Sequence, residues 1–216
     1  MEHKTMSFRG HDFKVVRGTT HPEFSYFTFE EEEKDLRERF WKISHGDVVF
    51  DIGASYGSYA LTACALGAVV YAYEPEKTVF DDLLASRDLN GWQGRCFPYN
   101  RGLWSSETVL HMQTYAPHWP QATISAPYKM STLDLEARVL NRLDWIKIDV
   151  EGAEEHVLQG ALETIKKFKP KLLIECHVFL DAKLVEKIKA LLLSVAAYQF
   201  EEIDRPPCTM LYAYVP

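Results

Sequence analysis

The sequence predicts a doubly wound α/β fold with a mostly parallel sheet, on three observations. Short apolar runs alternate with segments of helical period from about residue 48 onward. The first run, Val48-Val49-Phe50-Asp51-Ile52, leads into Gly53-Ala54-Ser55-Tyr56-Gly57, a glycine-bearing turn of the kind that carries a buried parallel strand into a helix. The second run, Val69 to Tyr73, ends in an acid, Glu74-Pro75, at the spacing expected of the second strand of such a fold.

Composition bounds the function classes. At 216 residues with 47% apolar content, one compact domain with a full core is expected. A formal net charge of -7 disfavours nucleic acid, whose phosphates are bound through clustered Lys and Arg. Cys64, Cys96, Cys176 and Cys208 are scattered without metal-ligand spacing and read as small buried thiols of a reducing compartment, so no metal ligand is predicted. No stretch has the length of a membrane span and the start lacks a signal-peptide core, so a soluble cytoplasmic protein is expected.

Residues 8–27 carry no sustained period and suit a short strand or hairpin at the domain edge. Thr28 with Glu31 forms a capping-box pattern that predicts a helix to about Ser44, with Leu36, Phe40, Trp41 and Ile43 on one face. Residues 1–45 thus read as an extension packed on a core of 46–216. After the glycine turn, Tyr59 to Leu66 predicts a buried helix that stops at Gly67, and Glu76 to Leu89 a second. Arg95 to Tyr99 and Thr108 to Gln113 read as strands. Between them and the next regular unit, Thr114 to Lys129 breaks pattern with Pro117, Pro120 and Pro127 among aromatic residues and reads either as a loop over an acceptor site or as a plain surface loop with its rings tucked in. In Leu143-Asp144-Trp145-Ile146-Lys147-Ile148-Asp149-Val150-Glu151-Gly152, strand alternation puts Lys147, Asp149 and Glu151 on one side and the apolar residues on the other. A helix to Phe168, a strand at 172–177 ending in Glu175-Cys176-His177, an amphipathic helix from Leu184 to Val195 and two closing antiparallel strands complete the chain.

The glycines at 53 and 57 are spaced G-x-x-x-G, and the G-x-G-x-x-G that lets a pyrophosphate approach is missing, so a ligand without a diphosphate fits better. Glu74 falls where doubly wound folds bind ribose hydroxyls. Together these suggest an adenosine-bearing cofactor. Asp149 should lie at the carboxyl end of its strand, where open α/β sheets bind ligands.

The order VVFDIGASYG (48–57), VVYAYEPEK (69–77), STLDLE (131–136), WIKIDVEGAEEHVLQGA (145–161) and PKLLIECH (170–177) resembles the FkbM family of S-adenosylmethionine-dependent methyltransferases. The resemblance spans about residues 46–178. It implies a Rossmann-like class I methyltransferase fold with an antiparallel last strand. It also implies methyl transfer to a hydroxyl of a saccharide or secondary metabolite, with S-adenosylhomocysteine as product. Carried over, Asp51, Gly53, Ala54, Ser55, Tyr56 and Gly57 would line the cofactor's methionine and ribose portion, Glu74 with Pro75 would hold the ribose, Asn100 would lie near adenine, and Asp149 near the methionine amine and reacting centre. Arg101-Gly102-Leu103-Trp104 departs from the Ala-Leu-Ser run expected after Asn100.

A neutral hydroxyl must lose its proton, so a base is needed, and Asp149, Glu151, Glu175 and His177 are the candidates on the rim, with His177 or Glu175 favoured. A divalent metal is a possible assistant that the sequence does not predict. Three readings compete with the O-methyltransferase: an N-methyltransferase of the same fold, a catalytically silent cofactor-binding protein, and a nicotinamide-dependent oxidoreductase, which the glycine spacing disfavours.

Overall fold

The structure, a computed structural model, describes residues 2–31, 33–111 and 127–216. The chain begins with an antiparallel hairpin of β1 (His3–Phe8) and β2 (His11–Val16), followed by α1 (Pro22–Glu30) and α2 (Lys34–Phe40). The regular alternation then sets in: β3 (Val48–Ile52), α3 (Ser58–Ala65), β4 (Val69–Tyr73), α4 (Lys77–Leu89) and β5 (Cys96–Tyr99). A side sheet of β6 (Gly102–Leu103), β7 (Thr108–His111) and β8 (Pro127–Ser131) leads into α5 (Leu133–Glu136). The second half consists of β9 (Trp145–Ile148), α6 (Glu154–Gln159), α7 (Leu162–Phe168), β10 (Lys171–Cys176), α8 (Leu184–Val195), β11 (Gln199–Arg205) and β12 (Cys208–Tyr214).

Among the described residues the main sheet has seven strands in the order β11-β12-β10-β9-β3-β4-β5. The five strands from β10 to β5 pair in parallel, and β12 runs antiparallel between β10 and β11. The expected doubly wound, mostly parallel sheet with a closing antiparallel hairpin is therefore the observed one. Strand order reverses direction of growth at β3, whose neighbours are β4 and β9, and this switch point is where such sheets open a ligand crevice.

Alternation along the strands divides the core into two layers. Val49, Trp145 and Leu173 face α3, α2 and the N-terminal hairpin, while Phe50, Ile146 and Ile174 face α5 to α8. Register aligns Ile52 with both Ile148 and Tyr73, and Ile148 with Ile174, so β3, β4 and β9 finish at one level and β10 runs two residues beyond it. Trp41, fully buried, meets Tyr59 and Trp145 edge-on at 5.1 and 5.2 Å, so the first 45 residues share the sheet's core.

Two expected elements differ. The helix expected over 28–44 is broken: Thr28 lies inside α1, where its hydroxyl donates to the Ser25 carbonyl, and the chain restarts at Glu33 with φ +49. Pro22, which presets the first helical turn, starts α1 earlier than the capping-box pattern suggests. The helix after Asp149 is also split, into α6 and α7, because Gly160 packs directly on the Trp104 carbonyl. Most of the proline and aromatic segment from Thr114 to Lys129 lies outside the described residues; its end forms β8.

Candidate active site

The glycine turn is shaped by a close approach of two loops. A Cβ at Gly53, where φ is +77, would lie 1.7 Å from the Asp149 carbonyl oxygen, so only glycine lets the turns after β3 and β9 touch. Gly53 and Ala54 both donate their N–H to the Tyr73 carbonyl at 3.0 Å, which ties the same turn to the end of β4. Ser55 has φ +49, and its N–H donates to Glu74 Oε2 at 2.9 Å. Glu74 Oε1 accepts from the Glu76 N–H at 2.8 Å, so the carboxylate is held by backbone on both sides. Burial pushes Glu74 up to about 7 despite those two hydrogen bonds.

Other predicted cofactor residues fall around this junction. Asn100 donates from Nδ2 to the carbonyls of Glu74 and Pro75, at 3.0 and 2.9 Å, and so fixes the end of β5 against the end of β4. Tyr56 is packed beneath α1, edge-on to Phe24 at 6.3 Å, and burial pushes its hydroxyl up to about 12. Its ring braces the turn from the N-terminal side. Gly57, with φ +91, opens α3. Asp51 is buried within β3, burial pushes it up to about 6 against the pull of Lys147, and its Oδ2 has no hydrogen-bond partner.

The four candidate bases converge at the ends of β9 and β10. Lys147, 2% exposed, reaches Asp149 Oδ2 at 3.3 Å and lies over the Tyr59 ring at 4.7 Å. Burial works against its charge, but Asp149, Glu33, Glu175 and Asp51 outweigh it and raise its pKa. Asp149 is in turn held below its ordinary value, since burial is overcome by Lys147 and His177. Glu175 goes the other way, up to about 9, because the Asp149 carboxylate lies beside it and partial burial adds to that repulsion. His177 has Nδ1 2.7 Å from Glu154 Oε1 and Nε2 3.2 Å from Glu151 Oε2 and 4.0 Å from Asp149 Oδ1. Burial opposes its charge, yet the hydrogen bonds to Glu151 and Glu154 push it up to about 11.

At neutral pH this leaves Asp149 ionised, Glu175 protonated and His177 cationic. A cationic imidazole has no lone pair with which to take a proton, and a protonated Glu175 already carries the proton a base would accept. The surroundings thus hold Glu175 and His177 toward their protonated forms and Asp149 toward its ionised form.

Three further residues belong here. Glu33, buried at the break between α1 and α2, acts on Asp51, Tyr59, Lys147 and Glu175 through its charge. In sequence it is one acid of a run, with nothing to single it out. Lys147 had a visible signal, a lysine between isoleucines in a strand buried on both faces. Glu154, fully buried, is marked only by its place after Gly152-Ala153. The STLDLE stretch proves to be scaffold. Thr132 caps α5, and Asp134 accepts from the Thr164 N–H at the start of α7.

A family model for the methyltransferase FkbM domain matches residues 51–204, which holds the glycine turn, Glu74 and the Asp149 loop. The chain belongs to the FkbM methyltransferase family. A curated relative, the hexuronic acid methyltransferase AglP of Haloferax volcanii, is 27% identical over 164 residues, covering 73% of this chain and 67% of that protein. Among solved structures, the FkbM methyltransferase of Methylobacillus flagellatus superposes with a TM-score of 0.63 at 20% identity over 91% of this chain. The chain spans about half that protein's length, 51%. Fibrillarin of Aeropyrum pernix, solved with natively bound S-adenosylmethionine, superposes with a TM-score of 0.58 at 12% identity, over 98% of this chain and 82% of that one. These FkbM and fibrillarin likenesses carry the fold: a class I, Rossmann-like methyltransferase sheet.

Proposed function

We propose that this protein is an S-adenosylmethionine-dependent O-methyltransferase acting on a hydroxyl of a saccharide. The observation that carries the reading is the 2.9 Å bond from the Ser55 N–H to Glu74, which ties the glycine turn to the ribose-type carboxylate at the sheet's switch point, where such folds bind their ligands. The residues fit the cofactor: Asp51 offers a buried carboxylate oxygen without a partner, and Ser55 and Glu74 bring the glycine turn and a carboxylate together. Glu74 would accept from the ribose hydroxyls, Asp51 and the 53–57 turn would hold the amino-acid portion, and Pro75 and Asn100 would border the base.

When bound, S-adenosylmethionine supplies an electrophilic methyl on a sulfonium. The chain's task is then to orient an acceptor oxygen and take its proton. Asp149, kept ionised by Lys147 and His177, is the group we assign to accept that proton. Glu175 stands beside it as a protonated donor able to hold the acceptor's neighbouring oxygen, and Glu151 lies at the solvent-facing side. A rim of carboxylates and one imidazolium matches an acceptor rich in hydroxyl groups, each both donor and acceptor. AglP's description as a hexuronic acid methyltransferase supports a sugar acceptor.

The test is transfer of radiolabelled methyl groups from S-adenosylmethionine into fractionated saccharides, followed by mild alkali. Label in saccharide that survives alkali marks an ether at a hydroxyl. Label confined to amines of other fractions, or no transfer to any fraction, contradicts the proposal.

A further inference from the structure

We infer that Asp149, Glu151 and His177 form a binding site for a divalent cation of the oxygen-preferring kind, such as Mn²⁺ or Mg²⁺. One ligand atom from each of the three lies within 4.8 Å of the others. They come from two loops, the turn after β9 and the end of β10, so no local sequence pattern brings them together. His177 is 4% exposed and points Nε2 at Glu151 Oε2 and Asp149 Oδ1, at 3.2 and 4.0 Å. A cation set between these atoms would need them to move by only a fraction of an ångström to reach bonds of about 2.1 Å.

Glu154 supplies an independent observation. It is not one of the three, has no exposed surface, and sets Oε1 2.7 Å from His177 Nδ1, while its Oε2 is buried with no hydrogen-bond partner. A buried carboxylate on Nδ1 fixes the imidazole's orientation and presents Nε2 as the outward-facing nitrogen, the arrangement found behind metal-ligating histidines. The Gly152 N–H donates to the same Oε1 at 2.9 Å, so the supporting carboxylate is itself anchored to the ligand loop. Binding replaces the proton on Nε2, which leaves to solvent, with the cation. Two carboxylate oxygens and one imidazole, with no thiolate, suit an oxygen-preferring divalent ion such as Mn²⁺. A second trio, Glu175, His177 and Cys208, shares the histidine but adds a buried thiol, a soft ligand that suits zinc, and the Cys208→Ser variant below separates the two sites.

Asp149, the proton acceptor assigned above, is one of the three ligands, so a cation held there would lower the pKa of an acceptor hydroxyl next to the oxygen that takes its proton, and that role rests on the proposed methyl transfer. The site itself does not, and its test uses no acceptor. The full-length protein is titrated with MnCl₂ and followed by electron paramagnetic resonance, with spin-echo detection of ¹⁴N coupling. Saturable binding of one Mn²⁺ with an imidazole nitrogen signal is expected. Asp149→Asn and Glu154→Gln should each weaken binding at least about tenfold, the second without removing a ligand, while Cys208→Ser should leave it unchanged. Absence of saturable binding, absence of the nitrogen coupling in the wild type, or loss in Cys208→Ser with none in Asp149→Asn would overturn the inference. The wild-type spectrum decides even if a variant fails to fold.

Discussion

A methyl group at residue 53 would collide with the Asp149 carbonyl oxygen and force a side chain into the left-handed region, so the consequence of Gly53→Ala is both strain and separation of two loops. We expect a stability loss of roughly 2–4 kcal/mol, read from the urea midpoint, together with loss of cofactor binding. Unchanged stability would mean the loops do not touch as described. Glu74 makes a prediction with a sign. Burial raises its folded pKa from 4.5 to about 7, so the stability it contributes is complete below the unfolded value and is lost as pH rises through about 7. Asp51, raised from 3.8 to about 6, adds a loss of the same sign. The ligand-free protein's thermal midpoint should therefore fall between about pH 5 and about pH 8, and Glu74→Gln should flatten part of that fall. Cofactor affinity should move oppositely, rising over the same window, because the ionised carboxylate is the better acceptor for ribose hydroxyls.

At the scale of elements, β9 carries the decisive feature, a lysine enclosed between the sheet and the N-terminal segment. At neutral pH Lys147 balances Asp149, Glu33 and Asp51, and its removal leaves these acids uncompensated. Lys147→Met should cost about 3–5 kcal/mol at neutral pH and less near pH 5, where more of these acids are protonated, as chemical denaturation at the two pH values would show. An equal cost at both would argue that packing over Tyr59, not charge, accounts for Lys147. The central elements were legible in the sequence because each obeys one rule. The runs at 48–52, 69–73 and 145–148 are buried on both faces, and helices follow at the expected spacing. The N-terminal helix was misread because Thr28 and Glu31 satisfy a local pattern that tertiary contacts of Phe29, Leu36 and Trp41 override. The break between α6 and α7 was hidden for a similar reason: Gly160 answers to Trp104, a residue far away in sequence.

Over the whole molecule, legibility tracks how local the cause is. Asp51, Gly53, Glu74 and Asp149 could be named from sequence because strand order alone sets their places. The protonation of His177 and Glu175, and the parts played by Glu33 and Glu154, depend on which loops meet, which no single stretch encodes. Among the described residues no helix is long and apolar enough to cross a membrane, and the two core layers run from the first hairpin to the last strand. We propose accordingly that residues 1–45 and 46–216 unfold together. Trp41→Ala should lower the single unfolding transition by about 3–5 kcal/mol without splitting it, and two separate transitions in calorimetry would contradict that. The most direct measurement of the central claim is calorimetric titration with S-adenosylmethionine, with NAD as the control ligand, on wild type and Glu74→Ala. Saturable binding of S-adenosylmethionine alone, weakened about tenfold to a hundredfold in the variant, is the expected result. Binding of NAD with no response to S-adenosylmethionine, or equal affinity in the two proteins, would contradict it.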